Sequence, residues 1–296
     1  MVVSALNGCS LTIRFNSKKE YSMNTISVIG KCDYLVGKPL GGNSRFSLYR
    51  ASSSAYPDQD FILKIAKTIA QNPLLEREAF ILSIMNEEAK RLEEEYARVT
   101  EGKGLLNYQV GFPMLVETFL ADSQDNRRVI IASLSSENIS NFVSLSMVRE
   151  RDRVRVDPKT SAWIMGKLLK ILAFCHNQNI INKNISGGNV LIERGGHLVT
   201  LYDWSTAAIH NEGIPIVDSQ EEIKRAAREV IRVLGGNIVS GEIPSDEQLV
   251  DDKYQEFLIK LLGGSYSTAK EAHSRFYEVV EALWGRKFHS YASYPL

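Results

Sequence analysis

Short runs of alternating apolar and polar residues dominate the first half of the chain. From Tyr34 it reads Y-L-V-G-K-P-L-G-G-N-S-R-F-S-L-Y-R-A, which predicts a strand, a bend at Gly41-Gly42 and a strand returning over Phe46 to Ala51. A further strand is expected at Phe61 to Ala66, then two more at Met114 to Leu120 and Arg128 to Ser133, separated by the polar turn Asp122 to Asn126. Leu11 to Phe15 and Thr25 to Ile29 read as short strands of an N-terminal flap. Lys64 stands between Leu63 and Ile65, and a lysine there ordinarily faces solvent from a half-buried strand.

Helical spacing begins at Asn72-Pro73, read as N-cap and first helical residue, and holds through Leu75, Ala79, Leu82 and Met85 towards Val99. The second half of this segment, E-E-A-K-R-L-E-E-E-Y-A-R, is expected to be a solvated helix face. Later helices are predicted at Asn141 to Val148, Pro158 to Asn177 behind an Asp157 cap, Glu221 to Leu234, Asp251 to Leu262 and Thr268 to Trp284, with Gly235-Gly236 and Gly263-Gly264 as stops. One hairpin interrupts them. Val190-Leu191-Ile192 leaves a polar loop, Gly195-Gly196 turns, and Val199 to Tyr202 returns to an acid. Pairing these strands would bring Asn189 and Asp203 to one end, where two oxygen ligands suit Mg²⁺. Read alone, the same two residues also fit an ordinary hairpin's loop asparagine and strand-terminal aspartate. The pattern implies an α+β chain, strand-rich first and helical afterwards, with a boundary near Ser133 to Asn141.

With 296 residues, 44% apolar and 24% charged, the chain can bury one large core or two modest ones. Thirty-five basic residues balance thirty-five acidic ones, so no net field favours nucleic acid or an anionic membrane. Cys9, Cys32 and Cys175 are too few and too scattered for a disulfide framework or a zinc site, which points to a reducing compartment, the cytoplasm. Leu6-Asn7-Gly8-Cys9 superficially matches a lipoprotein cleavage site, but no basic residue precedes it and its apolar stretch is short. Lys167 and Lys170 interrupt the most apolar helix, Ala162 to Cys175, so no membrane span is expected.

In order and spacing, the residues from Tyr34 to Trp284 resemble the protein-kinase superfamily. Gly41-Gly42-Asn43-Ser44-Arg45-Phe46-Ser47 is similar to its glycine-rich loop, with Asn43 and Ser47 where glycines are usual. Lys64 matches the nucleotide lysine and Glu78 the helix glutamate that orients it. Asn182-Lys183-Asn184-Ile185-Ser186-Gly187-Gly188-Asn189 aligns with H-R-D-x-x-x-x-N, and Asp203-Trp204-Ser205 with D-F-G. Glu222 falls in the place of a structural aspartate. The resemblance implies a bilobal fold, with an N-terminal extension at 1–33, a β-rich N-lobe at 34–135 and an α-helical C-lobe at 136–296. It also implies ATP and Mg²⁺ as cofactors. Lys64 would neutralise phosphate charge, Asn189 and Asp203 would hold metal, Phe46 would sit at the loop tip, and Ile62 and Leu191 would sandwich the adenine.

The departures point elsewhere. Asn184 occupies the place of the catalytic aspartate, and a neutral amide cannot accept a substrate's proton. Ser186 replaces the lysine that touches the γ-phosphate, Lys183 replaces an arginine that clamps the activation loop, and the segment after Asp203 is short and lacks A-P-E. The expectation is a pseudokinase that binds ATP and Mg²⁺ and acts through a protein partner. The alternative is an active atypical transferase moving phosphate or AMP from ATP to a protein substrate, since a general base is worth about 10²–10⁴-fold. An empty scaffold is a third reading, and it has no need of Lys64, Glu78, Asn189 and Asp203 together.

Overall fold

Alternation in the first half of the chain becomes one antiparallel sheet in the computed structural model, which describes residues 26–29, 33–121, 126–135, 138–244, 252–285 and 287–296. Strands β1 (Ile26–Ile29), β2 (Asp33–Gly42), β3 (Phe46–Ser53) and β4 (Tyr56–Ala66) precede helix α1 (Asn72–Val99), and β5 (Met114–Leu120) and β6 (Arg128–Ser133) follow it. Their order in the sheet is β1-β2-β3-β4-β6-β5. The expected strand at 11–15, most of the turn at 122–126, Cys9 and Cys32 lie outside the described residues.

Period-two alternation gives the sheet two apolar faces. Phe61 and Leu63 of β4 join Tyr34, Val36, Ala51, Phe119, Val129 and Ile131 in one buried cluster. Ala66, from the opposite face of β4, joins Phe46, Ile130 and Ala132 against Leu75 and Ala79 of α1. Lys64 shares that second face, so the alternation that suggested exposure instead turns it towards α1. Asn72 also departs from its expected role as a cap. Its own backbone is helical, with φ −51° and ψ −45°, and Thr68 and Gln71 form the capping box one turn earlier. The Asn72 amide instead joins the helix to the sheet edge, donating to the Asn126 carbonyl and accepting from the Arg128 N–H.

The described chain divides into two compact units. Residues up to Glu88 together with Pro113–Ser140 form the first, and Ala89–Phe112 with Asn141–Leu296 form the second. Within the second unit, after Ala89–Phe112, comes β7 (Phe142–Ser144), a strand where a helix was expected, because Ser144 caps the short helix α2 (Leu145–Glu150) by accepting from the Met147 N–H. Then come β8 (Val154–Val156), α3 (Pro158–Asn177), β9 (Ile180–Ile181), β10 (Val190–Glu193), β11 (Leu198–Leu201), β12 (Ala208–Ile209), α4 (Ile216–Val233), α5 (Asp252–Gly263), α6 (Ala269–Trp284) and β13 (Ser293–Pro295). Asp157 caps α3 by accepting from the Thr160 N–H at 2.8 Å. Nearly the whole of α3 except its lysines, Trp163 and a few end residues is buried, which makes it the central helix of this unit. No helix among the described residues is long and apolar enough to cross a membrane.

Candidate functional site

In the first unit, the Lys64 ammonium lies 2.6 Å from Glu78 Oε2, and both side chains are almost wholly buried, at 3% and 2% exposure. The ammonium also lies 4.6 Å from the centre of the Phe46 ring, a cation–π contact. Phe46, expected at the loop tip, is the first residue of β3 after the bend, and its side chain sits in the core beside Lys64. The first strand residue after a tight turn is drawn inward because Asn43 organises that turn: its Oδ1 accepts from the Arg45 and Phe46 N–H groups at 2.8 and 2.9 Å. Gly41 and Gly42 take φ of 139° and 151°, and a Cβ on Gly42 would come within 2.4 Å of the Phe46 carbonyl oxygen. No larger residue fits this bend at Gly42 without movement. Ile62 is buried on β4, two residues before Lys64 on the same face of the sheet.

In the second unit, β10 and β11 pair with Val190 opposite Leu201, and the Tyr202 N–H donates to the Asn189 carbonyl at 2.8 Å. Asn189 and Asp203 therefore flank one end of the hairpin, and Leu191 is half-buried on β10. Asn184 belongs to the same group. Its Nδ2 donates to Asp203 Oδ2 at 2.9 Å, and the Asn189 Nδ2 donates to the Asn184 carbonyl at 2.9 Å. Asp203 is buried and its Oδ1 accepts from the Ser205 N–H.

The loop that carries these groups is fixed from beneath. Asn182 is fully buried, donates from Nδ2 to the Asp203 carbonyl and accepts on Oδ1 from the Asn184 N–H. Glu222 of α4 accepts from the Asn182 and Lys183 N–H groups through Oε1, at 2.7 and 2.8 Å, while its Oε2 meets His176 Nε2 at 2.9 Å. Lys183 takes the left-handed conformation, with φ 64°, that lets two successive N–H groups converge on one carboxylate oxygen. Motif alignment had put Glu222 in the place of a structural aspartate without naming what it holds, and its partner His176 carried no sequence signal.

Magnesium and phosphate chemistry can be tested against these groups. Among the described residues no three His, Cys, Asp or Glu side chains cluster as a protein-only metal cage would require. The group offers one carboxylate and the Asn189 amide, whose Nδ2 is engaged, so that its oxygen is the atom that would meet a cation. Hard oxygen donors in small number fit Mg²⁺, which takes its remaining ligands from phosphates and water. Each Asp203 oxygen accepts one of the hydrogen bonds above, and an ionised carboxylate is an acceptor only, the donor type a hard cation takes.

No protein-family model matches the chain. Cyclin-dependent kinase C-3 of Oryza sativa subsp. japonica is 40% identical over 50 residues, which are 17% of this chain and 15% of that protein. The chain thus matches only a small part of that curated relative. Two crystal structures of the Mycobacterium tuberculosis PknI kinase domain are similar over 83% of this chain and 95% of theirs. One, of a point mutant, has a TM-score of 0.51 at 14% identity, and the other 0.50 at 13%. At such identity the likeness speaks for architecture alone, and it agrees with the sheet of the first unit and the helices of the second: this chain has an α+β, protein-kinase-like fold.

Proposed function

We propose that this chain is a pseudokinase: it binds ATP with Mg²⁺ and acts by presenting a nucleotide-sensitive surface to a protein partner. The observation that carries the reading is that the Asn184 amide, which the motif alignment sets at the position of a kinase base, donates to Asp203. An amide that donates there positions its neighbour and cannot take a hydroxyl proton. Lys64, held by Glu78, would carry phosphate charge, and Asn189 and Asp203 would hold the metal. When bound, Mg²⁺ supplies charge neutralisation of the phosphates. Only twelve residues separate Asp203 from the start of α4 at Ile216, which leaves little chain for a peptide-docking platform. Thermal denaturation tests the binding half of this reading. Mg²⁺ and ATP at about 100 times the Kd should add about 2.7 kcal/mol of stability, an increment that Asp203→Asn removes. The absence of any shift at millimolar ATP would overturn it.

A second reading, an active atypical transferase moving phosphate or AMP to a protein, draws on the same Lys64–Glu78 pair. A formed pair is what phosphoryl positioning needs, and positioning with electrostatics is most of that catalysis.

A further inference from the structure

Far along the sequence from these residues, and wholly within the second unit, an aromatic pocket of about 230 Å³ is lined by α3, α6, the β10–β11 turn and the segment after Gly285. Its construction follows from three backbone features. Gly166 lets α3 approach α6 so closely that an added Cβ would meet the Phe276 ring at 2.4 Å. Gly285 ends α6 with φ 69°, and the chain that follows brings Phe288 and His289 to the pocket wall. His197 takes φ 53° in the hairpin turn, and its ring is sandwiched between Trp163, at 4.7 Å and 4°, and Phe288, at 4.2 Å and 10°.

The charge of the lining is one-sided. Lys159, Lys167, Lys287, His197 and His289 line it, and no carboxylate does. Lys167 is half-buried, and among the described residues no acid pairs with it. Glu193, an acid whose charge acts on His197, is turned onto its own loop, where its oxygens accept from the Gly195 and Gly196 N–H groups. Burial and then Lys167 lower the His197 pKa, and burial lowers that of Lys167. Trp163 Nε1 and His289 Nε2 are shielded from water without a hydrogen-bond partner. A half-buried ammonium with no counter-ion and shielded ring nitrogens with no partner each cost free energy that an acceptor would relieve.

We propose that this pocket binds a small planar aromatic anion, its ring among the aromatic side chains that line the pocket beside the Trp163–His197–Phe288 stack and its carboxylate-like group at Lys167. Drug-sized ligands occupy pockets of about 300–1,000 Å³, so this one suits a molecule of one or two rings. None of its lining residues belongs to the set that the kinase resemblance implicates in nucleotide binding, so the proposal stands apart from the reading above.

The test titrates the full chain with 2-naphthoate, using its uncharged counterpart 2-naphthamide as control. Two of the three tryptophans, Trp163 and Trp284, line the pocket, so quenching of intrinsic fluorescence reports occupancy. The expected result is saturable, submillimolar binding of naphthoate, with naphthamide weaker by about tenfold or more, the worth of a charge-assisted contact. Lys167→Gln should weaken naphthoate by a similar factor and leave naphthamide unchanged. The exposed Lys287→Gln provides a variant without folding risk and should weaken naphthoate by a smaller factor. Equal binding of acid and amide, no saturation, or naphthoate affinity indifferent to both lysine changes would each overturn the proposal.

Discussion

The two polar groups of this protein solve the problem of burial in opposite ways. In the first unit, Lys64 and Glu78 are full charges that neutralise each other at 2.6 Å inside an apolar face. In the second, the buried Asp203 carboxylate accepts from the Asn184 amide and a backbone N–H, and Asn182, Asn189 and Glu222 fix the surrounding loop. Removing one member of a buried ion pair leaves the other charge buried without its counter-ion, so the two act as a unit. An amide network keeps its geometry with no second charge, and gives up proton transfer in return. Charge where phosphate would be carried and amides where a proton would be taken is the combination on which the proposed nucleotide binding without a base rests.

The largest effect that could break this contrast comes from splitting the ion pair. Lys64→Met should destabilise the fold by about 3–5 kcal/mol in urea denaturation, because it leaves the Glu78 carboxylate buried without its partner. Lys64→Met with Glu78→Leu should cost less than the single change, since both charges then leave together. A double variant as unstable as the sum of its parts would show that the pair is not the unit it is taken to be.

Much of this architecture is written in the sequence, and its lapses have physical causes. The hairpin around Gly41-Gly42, strands Met114–Leu120 and Arg128–Ser133, and the Asp157-capped helix are all legible because local turn and cap chemistry agrees with tertiary packing. Lys64 looked exposed because alternation tells which residues share a face, not which face a helix covers. Phe142–Ser144 passed for helix because its strand character depends on pairing with β10, some fifty residues later. The charged half of α1 is mostly solvated as expected, yet Glu93 within it accepts from the Tyr108 and Gln109 N–H groups, a long-range bond that a charge run conceals. The basic aromatic pocket escaped notice because its walls come from three separate stretches of chain.

A smaller effect sharpens the contrast from the amide side. Asn184→Asp would place a second carboxylate against Asp203 Oδ2, where Nδ2 now donates at 2.9 Å. Two carboxylates so close cannot both ionise without cost, so one should bind its proton up to higher pH in the folded variant than in the unfolded chain. A carboxylate pKa raised by folding contributes stability at low pH that is lost as pH rises through the folded value. The variant should therefore lose about 1–3 kcal/mol against wild type near neutrality and less at pH 4. Mg²⁺ should recover part of the loss, which a denaturation series with and without the cation would measure.

The smallest effect lies away from both groups. Burial, and then Lys170 and Lys167, lower the His273 pKa from 6.5 to about 4. A histidine pKa depressed by folding gives stability that is present above 6.5 and lost as pH falls towards 4. His273→Gln should leave stability near pH 7.5 little changed and make the decline across that window shallower, as thermal melts over the range would record.

One incubation tests the central claim most directly. Purified protein is given Mg²⁺ and ATP labelled separately at the α and γ phosphates, with candidate protein partners present, and covalent label is then counted after denaturation. The account predicts nucleotide that co-elutes with the native chain and leaves with it intact, with neither label transferred. Robust covalent transfer of either phosphate, undiminished by Asn184→Ala, would contradict it.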